Sequence, residues 1–276
     1  MKYVKVFLAA FVLLLTVSSC NKYSKVLKSK DPDYKLKMAD QYYATKKFKN
    51  AQALYEELFP VFKGSIKFED LYYKYAYCFY NQGQYLDAEN LFKGYLGVFP
   101  NSPKAEEVDY MQAYCFYKQS PKLELEQVNT NKAMNMMQTF INTHPGSTRI
   151  AEATAIIDKC REKLEQKEHR AAILYYNLGQ FRAAAIAFSN LMNNYPESAK
   201  GESYKLLVVK SYYRYAKMSI EEKQIERYEK VITEYQDFAD RFPESKLLKD
   251  AEEYNKLSLN NIKVIKNEQT PSSVKR

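Results

Sequence analysis

Tryptophan is absent from the 276 residues, histidine occurs twice and glycine only seven times. Each scarcity removes a class of function. Two histidines, His144 and His169, belong to no His-Glu-x-x-His or other zinc pattern. So few glycines leave neither a Gly-rich phosphate loop nor a Gly-x-Ser-x-Gly nucleophile turn. Together with the lack of long β-branched alternation, they also argue against a sheet protein. Cysteine is limited to Cys20, Cys78, Cys115 and Cys160, without metal-type spacing. Catalysis needs a positioned acid, base, nucleophile or metal. The acidic pairs Glu56-Glu57, Glu106-Glu107 and Glu252-Glu253 stand among lysines, as solvated helix faces do. No enzyme activity, cofactor or metal is expected, which leaves binding and scaffolding.

At the amino end, Lys2 and Lys5 precede an apolar run from Val6 to Val17. A bilayer span needs about 20 residues, so this run reads as a processing segment to be left out of fold reasoning. It closes on Val17-Ser18-Ser19-Cys20, which resembles a bacterial lipobox. That resemblance implies a signal peptide over 1–19 and a lipidated tether over 20–31, with acyl chains on Cys20 beyond the two anchoring signals that stable attachment needs. Asn21, Lys22, Tyr23, Ser24 and Lys25 carry no acidic cluster of the kind associated with cell-surface lipoproteins. The expected location is the periplasmic face of the outer membrane. Losing Lys2 and Lys5 leaves 40 basic residues against 33 acidic ones, a net +7. That charge is spread along the chain rather than gathered into an arginine-rich patch, so no nucleic-acid partner is expected.

Proline marks an internal repeat. Phe99-Pro100-Asn101-Ser102, His144-Pro145-Gly146-Ser147, Tyr195-Pro196-Glu197-Ser198 and Phe242-Pro243-Glu244-Ser245 share one pattern. Each proline stops a helix, and the serine two residues on is placed to cap the next. Twelve residues before each proline stand Ala88, Ala133, Ala184 and Val231. Four residues later come Phe92, Met137, Phe188 and Tyr235, on the same helical face. Ala39, Ala76, Ala113, Ala172 and Ser211 are the small contact residues of the preceding helices, and Ala51 and Tyr55 complete the first pair. Gly83 and Gly179 occupy the turn inside a pair, where a left-handed backbone is needed. Two pairs carry eight extra residues there, around Ser120-Pro121 and Ser219-Ile220-Glu221-Glu222, as loops or additional helical turns. Cys78 and Cys115 fall at equivalent positions of adjacent first helices. Packed helix axes lie about 8–10 Å apart, too far for a bridge that needs Cα atoms within about 7 Å, so buried free thiols are expected.

This pattern resembles the tetratricopeptide (TPR) family. It implies an all-α solenoid of five helix pairs, about 32–64, 66–102, 105–147, 155–198 and 200–245. A capping helix over 246–266 would close the domain 32–266, and 267–276 would be a disordered tail.

The first helix of each pair lines the concave groove of a TPR solenoid. Four residues after each small contact position stands a tyrosine: Tyr43, Tyr80, Tyr117, Tyr176 and Tyr215. Tyr73, Tyr77 and Tyr80 form a stripe at i, i+4, i+7, as do Tyr110, Tyr114 and Tyr117. Tyr72, Ala76 and Phe79, with Met111, Ala113 and Phe116, occupy the opposite side. Inter-repeat packing is one use for the stripes. The other is a peptide groove, because tyrosine offers large contact area, little entropy loss and a hydroxyl for peptide groups. His169 is expected on the groove side of repeat four, as a partner contact rather than a catalyst.

The lipobox cysteine, the five TPR-like pairs and strings such as Tyr75-Ala-Tyr-Cys-Phe-Tyr80 and Asp109-Tyr-Met-Gln-Ala-Tyr-Cys-Phe-Tyr117 are similar to the BamD family of β-barrel assembly lipoproteins. The two long hairpins resemble its Bacteroidetes branch. The resemblance implies N-terminal repeats that receive unfolded outer-membrane proteins and C-terminal repeats that dock on a BamA-like barrel protein. Competing readings are another periplasmic TPR lipoprotein, of cell division or pilus assembly, and a SusD-type glycan binder. The first kind typically lacks the paired inserts or the anchor. The second needs large insertions and uses tryptophan to stack on sugars.

Overall fold

The computed structural model describes residues 22–269. The expected signal peptide and Cys20 lie outside them, as do 270–276. Among the described residues there is no strand. A short helix α1 covers 22–27, and five helix pairs follow. These are α2 (Pro32–Ala44) with α3 (Phe48–Phe62), α4 (Phe68–Asn81) with α5 (Tyr85–Val98), and α6 (Ala105–Lys118) with α7 (Val128–Thr143). Then come α8 (Ile150–Asn177) with α9 (Phe181–Asn194), and α10 (Gly201–Lys217) with α11 (Glu221–Arg241). A last helix, α12 (Leu248–Gln269), packs on α10 and α11. No helix of the described residues is long and apolar enough to cross a membrane. The fold is all-α and TPR-like.

The small residues make the pairing possible. Ala39, Ala76, Ala113, Ala172 and Ser211 are buried where first helices meet their neighbours, and so are Ala51, Ala88, Ala133, Ala184 and Val231 on the second helices. Tyr55, Phe92, Met137 and Phe188 fill the space beside them and are fully buried, whereas Tyr235 is half-buried. A fully buried phenylalanine contributes on the order of 2–3 kcal/mol, so this layer dominates the stability of each pair. Gly83 and Gly179 adopt φ of 77° and 75° in the intra-pair turns, and Lys46 takes the same left-handed conformation at φ 58° in the first. The two expected insertions take different forms. In the third pair the extra residues form a loop between Lys118 and Val128, whereas in the fifth they lengthen α10 and α11. Cys78 and Cys115 are buried and free, and Cys160 is also buried.

Three boundaries differ from expectation. α8 starts at Ile150 rather than 155 and runs 28 residues, which absorbs the longest interval between prolines. The end of α12 at Gln269 puts residues 267–269, assigned to the disordered tail, in helix. α1 folds back onto the first pair, with Val26 fully buried and Tyr23 edge-on to Tyr42 at 5.5 Å. Residues 22–27 are therefore packed rather than a free tether.

Each Pro-x-Ser serine stands ahead of the helix it was expected to cap: α6 and α10 take Lys104 and Lys200 as N-caps, without a side-chain cap, and the serine holds the turn before them. Its hydroxyl accepts the backbone N–H two residues on: Lys104 at 3.0 Å, Arg149 at 3.1 Å, Lys200 at 3.2 Å and Leu247 at 3.1 Å. The same hydroxyl donates to a glutamate on the preceding first helix. Ser102 reaches Glu69 at 2.7 Å, Ser147 reaches Glu106 at 2.5 Å, Ser198 reaches Glu165 at 2.6 Å and Ser245 reaches Glu202 at 2.7 Å. Each serine thereby ties the start of one repeat to the helix of the one before. The chain divides into two units within α8, between Cys160 and Arg161.

Candidate functional site

In the first unit, the second stripe positions of α4 and α6 come together as a wall of rings. Tyr73 and Tyr77 lie 4.7 Å apart, Tyr77 and Tyr80 6.1 Å, Tyr80 and Tyr114 6.2 Å, and Tyr114 and Tyr117 5.6 Å, between ring centroids. Tyr110 stacks on Tyr114 at 5.8 Å with only 17° between planes. Contact thus runs unbroken across two repeats, at separations where aromatic pairs add about 0.5–1.5 kcal/mol each. Tyr85, at the start of α5, extends the wall from Tyr80 at 5.6 Å. Tyr43 sits on α2 against Phe48 at 5.7 Å, half-buried like Tyr73, Tyr77, Tyr80, Tyr114 and Tyr117.

Tyr110 is a correction. Spacing alone puts it on the groove wall, but it is 1 % exposed, packed on Phe140 and covered by the Arg149 guanidinium 4.7 Å from its ring. It backs the wall and offers no surface. Tyr73 and Tyr77 differ from the other rings of the wall in their hydroxyls. Their hydroxyls donate to the Glu107 carboxylate at 3.0 and 2.7 Å, so they are committed within the protein. Tyr80, Tyr114 and Tyr117 make no hydroxyl hydrogen bond among the described residues and are the members able to donate to a bound chain. Burial, with the Glu107 charge beside it, pushes the Tyr73 hydroxyl up to about 12 and raises that of Tyr77 further. Burial also pushes Tyr80 up to about 12. All three stay protonated donors near neutral pH.

Cations rim the wall. Lys104 Nζ lies 4.5 Å from the Tyr73 ring, and Lys118 Nζ lies 5.5 Å from Tyr85. Beside Tyr43, a groove of about 690 Å³ opens between α2 and α4, lined by Leu36, Asp40, Ile66 and Asp70 among others. Ile66 is 96 % exposed on its edge. Lys74 holds the groove's two walls by bridging Asp40 at 2.8 Å and Asp70 at 2.6 Å.

Glu107 and the lysines were not legible as site residues, although a signal existed. Tyr73–Glu107, Lys67–Asp33, Lys74–Asp40 and Lys104–Asp70 are all separated by 34 residues. The first three small contact positions recur every 37, so 34 is one repeat less about one helical turn. Polar pairs at that offset join successive first helices.

In the second unit, Tyr176 packs on Phe181 at 5.2 Å, and the Arg214 guanidinium lies 5.2 Å from that phenylalanine. Tyr215 lies under Arg227 at 4.1 Å, in a hollow shared with Tyr212, Arg182 and Lys230. His169 rests between Phe188 at 6.1 Å and Tyr204 at 5.3 Å. Burial, with Lys200 nearby, lowers its pKa and keeps it neutral. Among the described residues no group of His, Cys, Asp or Glu is arranged to hold a metal.

The helix pairs and the aromatic wall that crosses two of them are those of a TPR-type repeat scaffold. A family model described as YfiO, outer membrane lipoprotein, matches residues 29–225. The chain belongs to that family, the one its sequence resembles under the name BamD. No curated protein matches the chain. Among solved structures it is similar to the TPR2AB domain of yeast Sti1 in complex with pHSP90, at 13% identity and TM-score 0.41, covering 83% of this chain and 97% of that one. It is also similar to a thermophilic TPR protein of Thermus thermophilus, at 12% identity and TM-score 0.33, covering 83% and 99%.

Proposed function

We propose that this protein is the lipoprotein scaffold of a β-barrel assembly complex, held by acyl chains on Cys20 to the periplasmic face of the outer membrane. Its first three repeats receive unfolded outer-membrane proteins, its C-terminal repeats dock on a BamA-like barrel protein, and it works without catalysis or cofactor. The paired hairpin insertions favour the Bacteroidetes branch. The observation that carries the reading is the unbroken tyrosine wall on a chain of this lipoprotein family. An extended client segment rich in aromatics would lie on the exposed ring faces, and the unbonded hydroxyls of Tyr80, Tyr114 and Tyr117 would donate to its carbonyls.

Replacing Tyr80 and Tyr114 together by alanine is expected to weaken binding of an aromatic C-terminal client peptide about ten-fold, ~1.4 kcal/mol. Helicity should be unchanged, because neither ring belongs to the fully buried layer. Equal affinity in a titration would remove the wall from client binding. For the cellular role, depletion should lower many outer-membrane β-barrels at once. Normal barrel levels, or loss of growth on a single polysaccharide, would reject it.

A further inference from the structure

We propose that α1 is a second membrane contact, an electrostatic one, whose lysines take the anionic phospholipid headgroups of the leaflet that holds the anchor. The proposal rests on lipidation of Cys20. The starting observation is that residues 22–27 are not a free linker: Val26 is fully buried and the Tyr23 ring meets Tyr42. A flexible tether of twelve residues could hold the body about 40 Å from the bilayer. With α1 packed on the first repeat, only Asn21 separates Cys20 from Lys22, two Cα steps or about 7 Å. That distance is shorter than the Debye length of about 8 Å at physiological salt. The acylated cysteine must therefore hold α1 against the headgroups.

The chemistry of that segment suits such a surface. Lys22, Lys25, Lys28 and Lys30 are all exposed, and no acidic residue occurs between Cys20 and Lys30. None of the four forms an ion pair among the described residues. With Tyr23 and Val26 facing the protein, helical spacing turns Lys25 and Lys28 to the opposite side, and Leu27 on the flank is 41 % exposed. The nearest acids are engaged elsewhere. Asp31 accepts the N–H groups of Asp33 and Tyr34 at the start of α2, and Asp33 pairs with Lys67 at 2.7 Å. A cationic face with an apolar flank, tied next to a lipid anchor, matches an anionic headgroup layer. The two contacts together would fix which side of the first repeat meets the bilayer.

The test uses the acylated protein in vesicles of neutral phosphatidylcholine, or of the same lipid with about one-third phosphatidylglycerol. Acetylation of Lys25 and Lys28 by a water-soluble reagent should slow at least five-fold in the anionic vesicles at low salt, since each near-surface lysine contributes roughly five-fold in partition. High salt should restore the rate, and Lys263, far along the chain, should react equally in both. Equal rates at Lys25 and Lys28 would overturn the proposal. The mass of the N-terminal peptide reports acylation separately. If it carries no acyl chains, the anchor reading fails, and the unacylated chain then decides the lysine face alone. Wild type should bind the anionic vesicles at least ten-fold better than the variant carrying Lys22→Gln, Lys25→Gln, Lys28→Gln and Lys30→Gln, with the four arginine replacements restoring binding. Equal binding of wild type and the glutamine variant would sink it.

Discussion

Replacing Glu165 by alanine is expected to cost about 3 kcal/mol and lower the melting temperature by roughly 10 °C. Glu165 is nearly buried on α8, where it accepts from Ser198 at 2.6 Å and Tyr204 at 2.5 Å, with Lys200 Nζ 3.7 Å away. The Tyr204 side chain is buried as well. Removing the carboxylate strands that hydroxyl without an acceptor and unties the serine that joins the fourth repeat to the fifth. Glu165→Gln retains one acceptor oxygen and should lose less. The two variants also differ in how they respond to acid. Burial alone would raise the Glu165 pKa, but the bonds from Ser198 and Tyr204 and the Lys200 charge outweigh it and hold the carboxyl below 4.5. A carboxyl depressed by folding contributes stability that is present above its unfolded pKa and is lost as pH falls through the folded value. Glu69, bonded by Ser102 and Tyr95, has the same sign. So do Glu234 and Asp237, where Lys205, Lys230 and Arg241 outweigh burial. Thermal unfolding should be flat near neutrality and fall progressively below about pH 4.5, with a shallower fall in Glu165→Gln. Identical acid limbs in wild type and variant would contradict the assignment.

Features set by period and by small residues were legible beforehand. Ala76 and Ala88 could be named because a helix contact tolerates little bulk, and Gly83 because its turn needs positive φ. A tyrosine stripe could be seen, but which ring was covered could not. Tyr110 and Tyr73 hold the same position in adjacent first helices, yet Tyr110 is sealed by Phe140 and Arg149 whereas Tyr73 stays half-buried beneath Lys104. The difference comes from outside the helix that carries the ring: Phe140 lies on α7, and Arg149 and Lys104 stand just before α8 and α6. A single helix read by its own period carries no information about its neighbour's side chains. The serine–glutamate clips escaped for the same reason. The serine's bond to the backbone two residues on is local, whereas the glutamate partner lies 33 to 43 residues away. The tether expected over 20–31 followed from the lipobox resemblance, which carries no information about packing within it. Only the fully buried Val26 and the Tyr23–Tyr42 contact show α1 to be part of the body.

The layer beneath the wall offers the sharper test of how packing supports binding. Phe92 is fully buried on α5, and its ring lies 5.2 Å from Tyr77 at 77°, an edge-to-face contact. Phe92→Ala should cost about 3–5 kcal/mol, since truncation removes transfer energy and leaves a cavity. It also removes the back support of Tyr77, whose hydroxyl remains tied to Glu107 at 2.7 Å. With one end held and the other free, the Tyr77 ring should tilt into the space vacated by Phe92. That movement draws it away from Tyr73 and Tyr80 and interrupts the row of rings. Phe238→Ala is the matched control: Phe238 is equally buried but belongs to the second unit, in a cluster with Leu206 and Ala251. Both variants should unfold earlier by a similar margin. At a temperature where both remain folded, only Phe92→Ala should weaken the aromatic client peptide, by several-fold. If the two bound it equally well, the rings of the first unit would be inter-repeat packing alone, and the client surface would have to lie elsewhere.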